Sequence, residues 1–186
     1  MTHSLEIDPN GWCPQARQIP SPNFDARPDG QRIDLVVIHA ISLPPRQFGG
    51  PGVEQLFLNQ LDPAEHPYYE GIHQLRVSAH FFIRRDGELV QFVACGQRAW
   101  HAGVSSWQGR ERCNDFSIGI ELEGGDDDPF APAQYRSLLS LLTALQAAYP
   151  IASIAGHHDI APSRKTDPGP YFDWQQIFDT MPQWRR

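Results

Sequence analysis

The run IDLVVIHAIS, residues 33–42, constrains the fold more than any other stretch of this 186-residue chain. Its apolar side chains are continuous rather than alternating, and most are β-branched. That is the pattern of a strand buried on both faces, as inside a sheet covered by other elements. The strand is expected to end at His39. An imidazole there is costly to bury unless it is hydrogen-bonded or bound to a metal. A chain of this length can bury one substantial core, so a single domain is expected.

Residues 1–30 are rich in Pro, Asn, Asp and Gly and lack periodicity, which predicts an extended arm packed on a domain spanning 31–186. FGGPGVEQLFLNQL (48–61) predicts a short helix with Pro51 near its first turn. The segment 62–75, DPAEHPYYEGIHQL, is irregular and aromatic, suited to covering a site. VSAHFFIRRDGELVQFVA (77–94) sets two β-rich runs either side of Asp86-Gly87, a pair suited to a type I′ hairpin turn. A polar loop over 99–115 leads to FSIGIELEGG (116–125). This strand carries Ile118, Ile120 and Leu122 on one face and Ser117, Gly119, Glu121 and Glu123 on the other.

Pro132 opens the clearest helix, PAQYRSLLSLLTALQAAY, with an apolar stripe of Tyr135, Leu138, Leu139, Leu142 and Leu145 and with Pro150 past its end. A short strand is expected up to Gly156, and a last helix, DWQQIFDTM, follows Asp173 as N-cap. This order of elements implies an α+β domain, a central mixed sheet packed against helices.

Composition narrows the partners. The chain is 40% hydrophobic and 20% charged, a globular balance, with a formal charge of −7. Net negative charge disfavours nucleic acid and anionic membrane, while leaving room for a local basic pocket. No apolar stretch approaches a membrane span, and the N-terminus lacks the basic-then-apolar pattern of a secretory signal. Cys13, Cys95 and Cys113 form no CxxC pair, which predicts free buried thiols and a reducing, cytoplasmic setting rather than a disulfide framework. A monomer is expected.

Ionisable groups concentrate in GHHDIAPSRKTDPGP, residues 156–170, among Pro and Gly that preclude a regular helix. Catalytic zinc takes three protein ligands and keeps a fourth position open; His39, one of His157 and His158, and Asp167 fit that count. Their spacing forms no local motif. The residues alone equally allow two surface histidines and an aspartate that forms a turn before Pro168. Glu121 is either exposed on a polar strand face or aimed into a site, where desolvation raises its pKa towards that of a working base. Lys165 is either solvated or placed to steady an oxyanion. Among the other histidines, His80 reads as structural and hydrogen-bonded, and His101 follows Trp100 in a loop able to line a pocket. His66 and His73 fall in the irregular segment and His3 in a terminal tail.

Four blocks, VVIHAISLPP, RVSAHFFIRRDGELVQFV, RAWHAGVSSWQGRERCNDFSIGIELEG and GHHDIAPSRKTDPGPYFDW, together resemble the AmpD family. These are cytosolic zinc N-acetylmuramoyl-L-alanine amidases that cleave 1,6-anhydro-muropeptides during cell-wall recycling, related to phage amidases and peptidoglycan recognition proteins. The resemblance runs from about residue 11 to about residue 178. It implies one zinc ion held by His39, His157 and Asp167, and so selects the histidine after Gly156. It implies that Glu121 is the general base and that Lys165 lies beside the scissile carbonyl. The bond cut joins the lactyl group of the muramyl sugar to L-alanine: zinc acidifies a water and polarises the carbonyl, and Glu121 takes the water's proton. Arg76 and Arg112 are implied partners of stem-peptide carboxylates, Trp100 and His101 implied to line the cleft, and Ala161 to lie near the peptide. The chain departs from the family at Ala40, where its members carry an Asn able to hydrogen-bond the substrate.

Two rivals remain at this level. An exported amidase of intact wall needs a signal that the sequence lacks, and a non-catalytic muropeptide-binding module needs a lost ligand, whereas all are present. Cys113 as a nucleophile has no basic partner that the sequence places beside it. The segment 62–75 is predicted to be mobile beside the cleft. In hydrogen–deuterium exchange its amides should exchange well ahead of those of 33–42; uniformly strong protection would refute this.

Overall fold

Residues 35–39 are buried without a break, which is met by placing their strand inside a sheet. The computed structural model describes residues 4–184, so His3 lies outside the described residues. The strands are β1 (Arg17–Gln18), β2 (Phe24–Ala26), β3 (Leu35–Ile41), β4 (Phe81–Ile83), β5 (Leu89–Gln91), β6 (Gln97–Ala99), β7 (Ser106–Trp107), β8 (Arg110–Glu111), β9 (Ser117–Glu123) and β10 (Ser153–Gly156). The helices are α1 (Gly52–Phe57), α2 (Pro67–Glu70), α3 (Pro132–Ala148), α4 (His157–Ile160) and α5 (Trp174–Thr180).

Six strands form one mixed sheet in the order β1-β5-β4-β9-β3-β10, while β2 with β6 and β7 with β8 form two small ribbons. Strands β4, β9, β3 and β10 are mutually parallel, and β5 returns antiparallel to β4. This is the expected α+β architecture.

Alternation along the strands divides the core. Val36, Ile38, Ile118, Ile120, Leu122 and Ile154 pack on one face against Leu138, Leu141, Leu142 and Leu145 of α3 and Ile177 of α5. The other face packs in two patches, Leu35 and Val37 with Ala102 and Phe116, and Phe82 and Val90 with Val53, Leu56 and Phe57 of α1. His39 and Glu121 share this second face and line a pocket instead.

Local differences from the sequence reading have physical causes. Strand β3 continues two residues past His39, because Ala40 and Ile41 stay in register with Leu122 and Glu123 of the equally long β9. The β4–β5 turn is not type I′: only Gly87 has a positive φ, +92°, whereas Asp86 does not. The Gly87 N–H donates to Arg84 O (2.9 Å) and the Arg84 N–H to Glu88 O (3.0 Å), a longer turn that uses glycine as its bulge. In α3 the residue fully buried beside Leu142 is Leu141, while Leu139 is half-buried. Segment 62–75 contains α2, capped by His66 Nδ1, which accepts from the Tyr68 N–H. The 156–170 stretch likewise holds the single turn α4, where the Asp159 carboxylate accepts from the Gly156 N–H.

Residues 17–21 are built into the sheet. Strand β1 pairs with β5, and the N–H groups of Ile19 and Ser21 continue the ladder to Gln91 and Phe92. Arg17 bonds both Glu54 and Glu88. Arg27 sends its guanidinium inward to the carbonyls of Cys95, Asn114, Asp115 and Ser117. All three cysteines are buried and free. No helix among the described residues is long and apolar enough to cross a membrane.

The burial difference within α3 is testable. Leu138→Ala should cost about 2–5 kcal/mol, as for a core truncation that leaves a cavity, and Leu139→Ala distinctly less. Denaturant unfolding of the two variants gives the comparison.

Candidate metal centre

Parallel pairing of β3 with β9 sets His39 directly opposite Glu121. Strand β10, on the other side of β3, ends at Gly156 and delivers His157 at the start of α4. The loop that follows brings Asp167 back, anchored by the His158 N–H donating to Asp167 O (2.9 Å). His39, His157 and Asp167 thus converge from three segments.

Their donor atoms form a tight triangle. His39 Nδ1 and His157 Nδ1 lie 2.9 Å apart, and Asp167 Oδ2 lies 3.1 Å from the second and 3.3 Å from the first. His157 Nε2 lies 3.1 Å from Ala102 O, which only accepts, so Nε2 carries a proton and Nδ1 is the nitrogen turned to the other two residues. Burial above all lowers the His39 pKa to about 4, against the pull of Asp167. Two ring nitrogens and a carboxylate oxygen facing one another make a donor set that a cation can occupy. Ligands about 2.0–2.2 Å from a tetrahedral ion stand roughly 3.3 Å apart, close to the spacing here. The residues present fit a metal ion.

Glu121 and Asp167 are held in opposite states. Burial raises the Glu121 pKa well above 4.5, Asp167 raises it further, and Lys165 draws it back. Its Oε2 is buried with no hydrogen-bond partner within the protein. For Asp167 burial also acts upward, but hydrogen bonds with His157 and His39 outweigh it and hold the carboxyl well below the usual range. One carboxylate is thereby favoured as the anion and the other, buried, is favoured in its protonated form. Lys165, partly buried, lines the same pocket of about 610 Å³ as His39, Glu121, His157 and Asp167.

The remaining candidates spread around this pocket. Trp100 stands where it meets a second groove of about 840 Å³, and the second groove holds Arg112 and Ala161. Arg112 takes a left-handed backbone (φ +61°) and pairs through Nε with Asp115 at 3.2 Å, while Arg110 pairs with Asp34 at 2.9 Å. Arg76 is exposed at a small recess shared with Trp100, His101 and Lys165. His101 is mostly buried, 9% exposed, with its ring edge-on to His39. His80 is structural, its Nδ1 accepting from the Gly119 N–H at 3.0 Å. His158 pairs with Asp159, and Ala40 lies on the pocket wall. Sequence reasoning did not single out Asn114 or Arg164, which bond the 101–104 backbone; neither sits in a pattern that marks it.

Residues 29–170 match a family model described as N-acetylmuramoyl-L-alanine amidase. The chain belongs to the N-acetylmuramoyl-L-alanine amidase family. It is 58% identical over 169 residues to the 1,6-anhydro-N-acetylmuramyl-L-alanine amidase AmpD of Citrobacter freundii, covering 90% of each chain. With AmpD of Escherichia coli the identity is 57%, over 90% of this chain and 92% of that one. A crystal structure of a selenomethionine AmpD derivative superposes with a TM-score of 0.91 at 57% identity, covering 94% of this chain and 98% of that one. The amidase AmiD of E. coli, in complex with anhydro-N-acetylmuramic acid-L-Ala-D-gamma-Glu-L-Lys, superposes at 0.59 with 30% identity, over 96% of this chain and 66% of its own. As a member of this family, the chain is an N-acetylmuramoyl-L-alanine amidase.

The raised Glu121 pKa has a consequence for the metal-free amidase. A carboxyl whose folded pKa lies above its unfolded value contributes stability below about pH 4.5 that is lost as pH rises through the folded value. Under chelation, Glu121→Gln should therefore melt above the wild type at pH 7, the gap closing as pH falls towards 4.5. A constant gap in a pH series of melting curves would contradict this.

Proposed function

We propose that this amidase is a zinc enzyme that hydrolyses the amide between the lactyl group of 1,6-anhydro-N-acetylmuramic acid and L-alanine in muropeptides. It acts in the cytoplasm, as a monomer, during peptidoglycan recycling. The observation that carries this is the triangle of His39, His157 and Asp167 beside an unpartnered, buried Glu121. Two imidazoles and one carboxylate, with a pocket on the open side, are a donor set suited to catalytic zinc. The two AmpD relatives are named for the anhydro substrate, and AmiD was captured with one.

Each residue then has a task. His39, His157 and Asp167 hold the zinc, which when bound acts as a Lewis acid towards the carbonyl and lowers the pKa of a water. Glu121, on the strand next to His39, takes the proton of the attacking water and returns it to the leaving nitrogen of L-alanine. As the C–N bond breaks, that proton converts the nitrogen to a neutral amine. The Lys165 ammonium faces the tetrahedral oxyanion. Arg76 and Arg112 offer guanidinium groups to the stem carboxylates, Trp100 walls the cleft between them, and Ala161 lies beside the peptide. The Ala40 side chain offers the substrate no hydrogen bond.

Mass spectrometry of the protein incubated with anhydro-muropeptides tests this directly. Free stem peptide and anhydro-muramyl sugar should appear, vanish with a chelator and return with zinc. Glu121→Ala should keep stoichiometric zinc and lose on the order of 10²-fold or more in kcat, whereas Asp167→Ala should lose the metal. Full activity in Glu121→Ala would remove its assigned role.

A further inference from the structure

His101 is implied by resemblance to line the cleft, yet both of its ring nitrogens are committed inside the protein. Nδ1 lies 2.9 Å from His39 Nε2, and Nε2 lies 3.2 Å from Ser117 Oγ. The next residue, Ala102, presents its carbonyl to His157 Nε2 at 3.1 Å. Two consecutive residues therefore meet the outward nitrogens of both histidines whose Nδ1 atoms converge on the metal position.

We infer that the His101–Ala102 dipeptide is the positioning element of the metal centre, a single bracket that holds both histidine ligands with Nδ1 bare. The inference rests on the zinc reading above and assigns His101 to the ligands rather than to the substrate. The proton logic closes along the chain of contacts. With Nδ1 of His39 facing the ion, its Nε2–H donates to His101 Nδ1, and His101 Nε2–H donates to Ser117 Oγ. On the other arm His157 Nε2–H donates to Ala102 O.

The bracket is itself fixed. Asn114 Oδ1 accepts from the N–H groups of His101 (3.2 Å) and Ala102 (2.8 Å). Arg164 Nη2 donates to Ala102 O at 2.6 Å and to Val104 O at 2.8 Å. Strand β9 makes room for the ring with Gly119, where a methyl group would lie 2.4 Å from His101 Cγ. A backbone pinned by one amide and one guanidinium, with a ring seated in a gap that only glycine leaves, is preorganised. Outer hydrogen bonds of this kind fix ring orientation and ligand basicity, and their loss typically costs 10–100-fold in metal affinity.

Zinc affinity of the full chain, measured by competition with a chromophoric chelator, separates this role from plain packing. His101→Leu fills the space without an acceptor and should weaken zinc on the order of 10- to 100-fold. His101→Asn places Oδ1 where Nδ1 stood and should stay within about threefold of wild type, since the acceptor for His39 Nε2–H is restored. Gly119→Ala, which displaces the ring, should weaken zinc like His101→Leu. Nitrogen-15 spectra of the zinc-loaded wild type should show His39 protonated at Nε2. Unchanged zinc affinity in His101→Leu, even with a lowered melting temperature, would overturn the proposal, as would equal losses in His101→Leu and His101→Asn. A wild type that binds no zinc would instead overturn the metal reading itself.

Discussion

Everything at the candidate metal centre depends on the parallel register of β3 against β9. Backbone pairing fixes His39 opposite Glu121, on strands spaced about 4.8 Å apart. Side chains alternate between the two faces, so a slip of one residue in either strand would turn its polar group into the apolar layer beneath α3. The leucines of that helix line no part of the pocket that holds His39 and Glu121. By holding Val36, Ile38, Ile118 and Ile120 on their own side, they leave the opposite side of the same strands to carry chemistry. Register, here, sets the geometry of the candidate site.

Gathering so many polar atoms in a buried place has an energetic cost. Two imidazoles and a carboxylate stand within 3.3 Å of one another, and a buried oxygen of Glu121 lacks a partner. Such arrangements persist only when surrounding structure over-determines them. The determination comes from both sides: the sheet fixes β3, β9 and β10, and the 100–104 loop holds the rings from outside. A cation binding only to the folded chain shifts the folding equilibrium further towards the native state.

Much of the fold was legible because burial writes a local pattern. The unbroken 33–42 run marked an interior strand, 116–125 showed its two faces, and α3 announced itself by spacing and flanking prolines. The details that escaped depend on partners remote in sequence or on degenerate signals. Asp86-Gly87 suits more than one turn, and the N–H···O bonds that decide between them involve Arg84 and Glu88. His39 and His157 stand 118 positions apart, so the residues alone left His157 and His158 undecided, and only family resemblance separated them. His101 lines the pocket, as its place after Trp100 suggested, but nothing near it in sequence betrays His39, Ser117 or the gap at Gly119. Arg27 lies in a stretch without periodicity, and nothing beside it marks its carbonyl partners on Cys95, Asn114, Asp115 and Ser117.

The short strand β1 has a meaning beyond its two residues. A sheet edge left open offers a row of unpaired N–H and C=O groups to any passing strand, the usual route to edge-to-edge aggregation. Here the N-terminal residues cap the outer edge of β5, with Arg17 locked between Glu54 and Glu88. None of the three residues that could hold a metal lies in that segment. A molecule clipped there by a protease would keep its ligands and lose its insulation, so insolubility rather than a damaged active site would remove it from service.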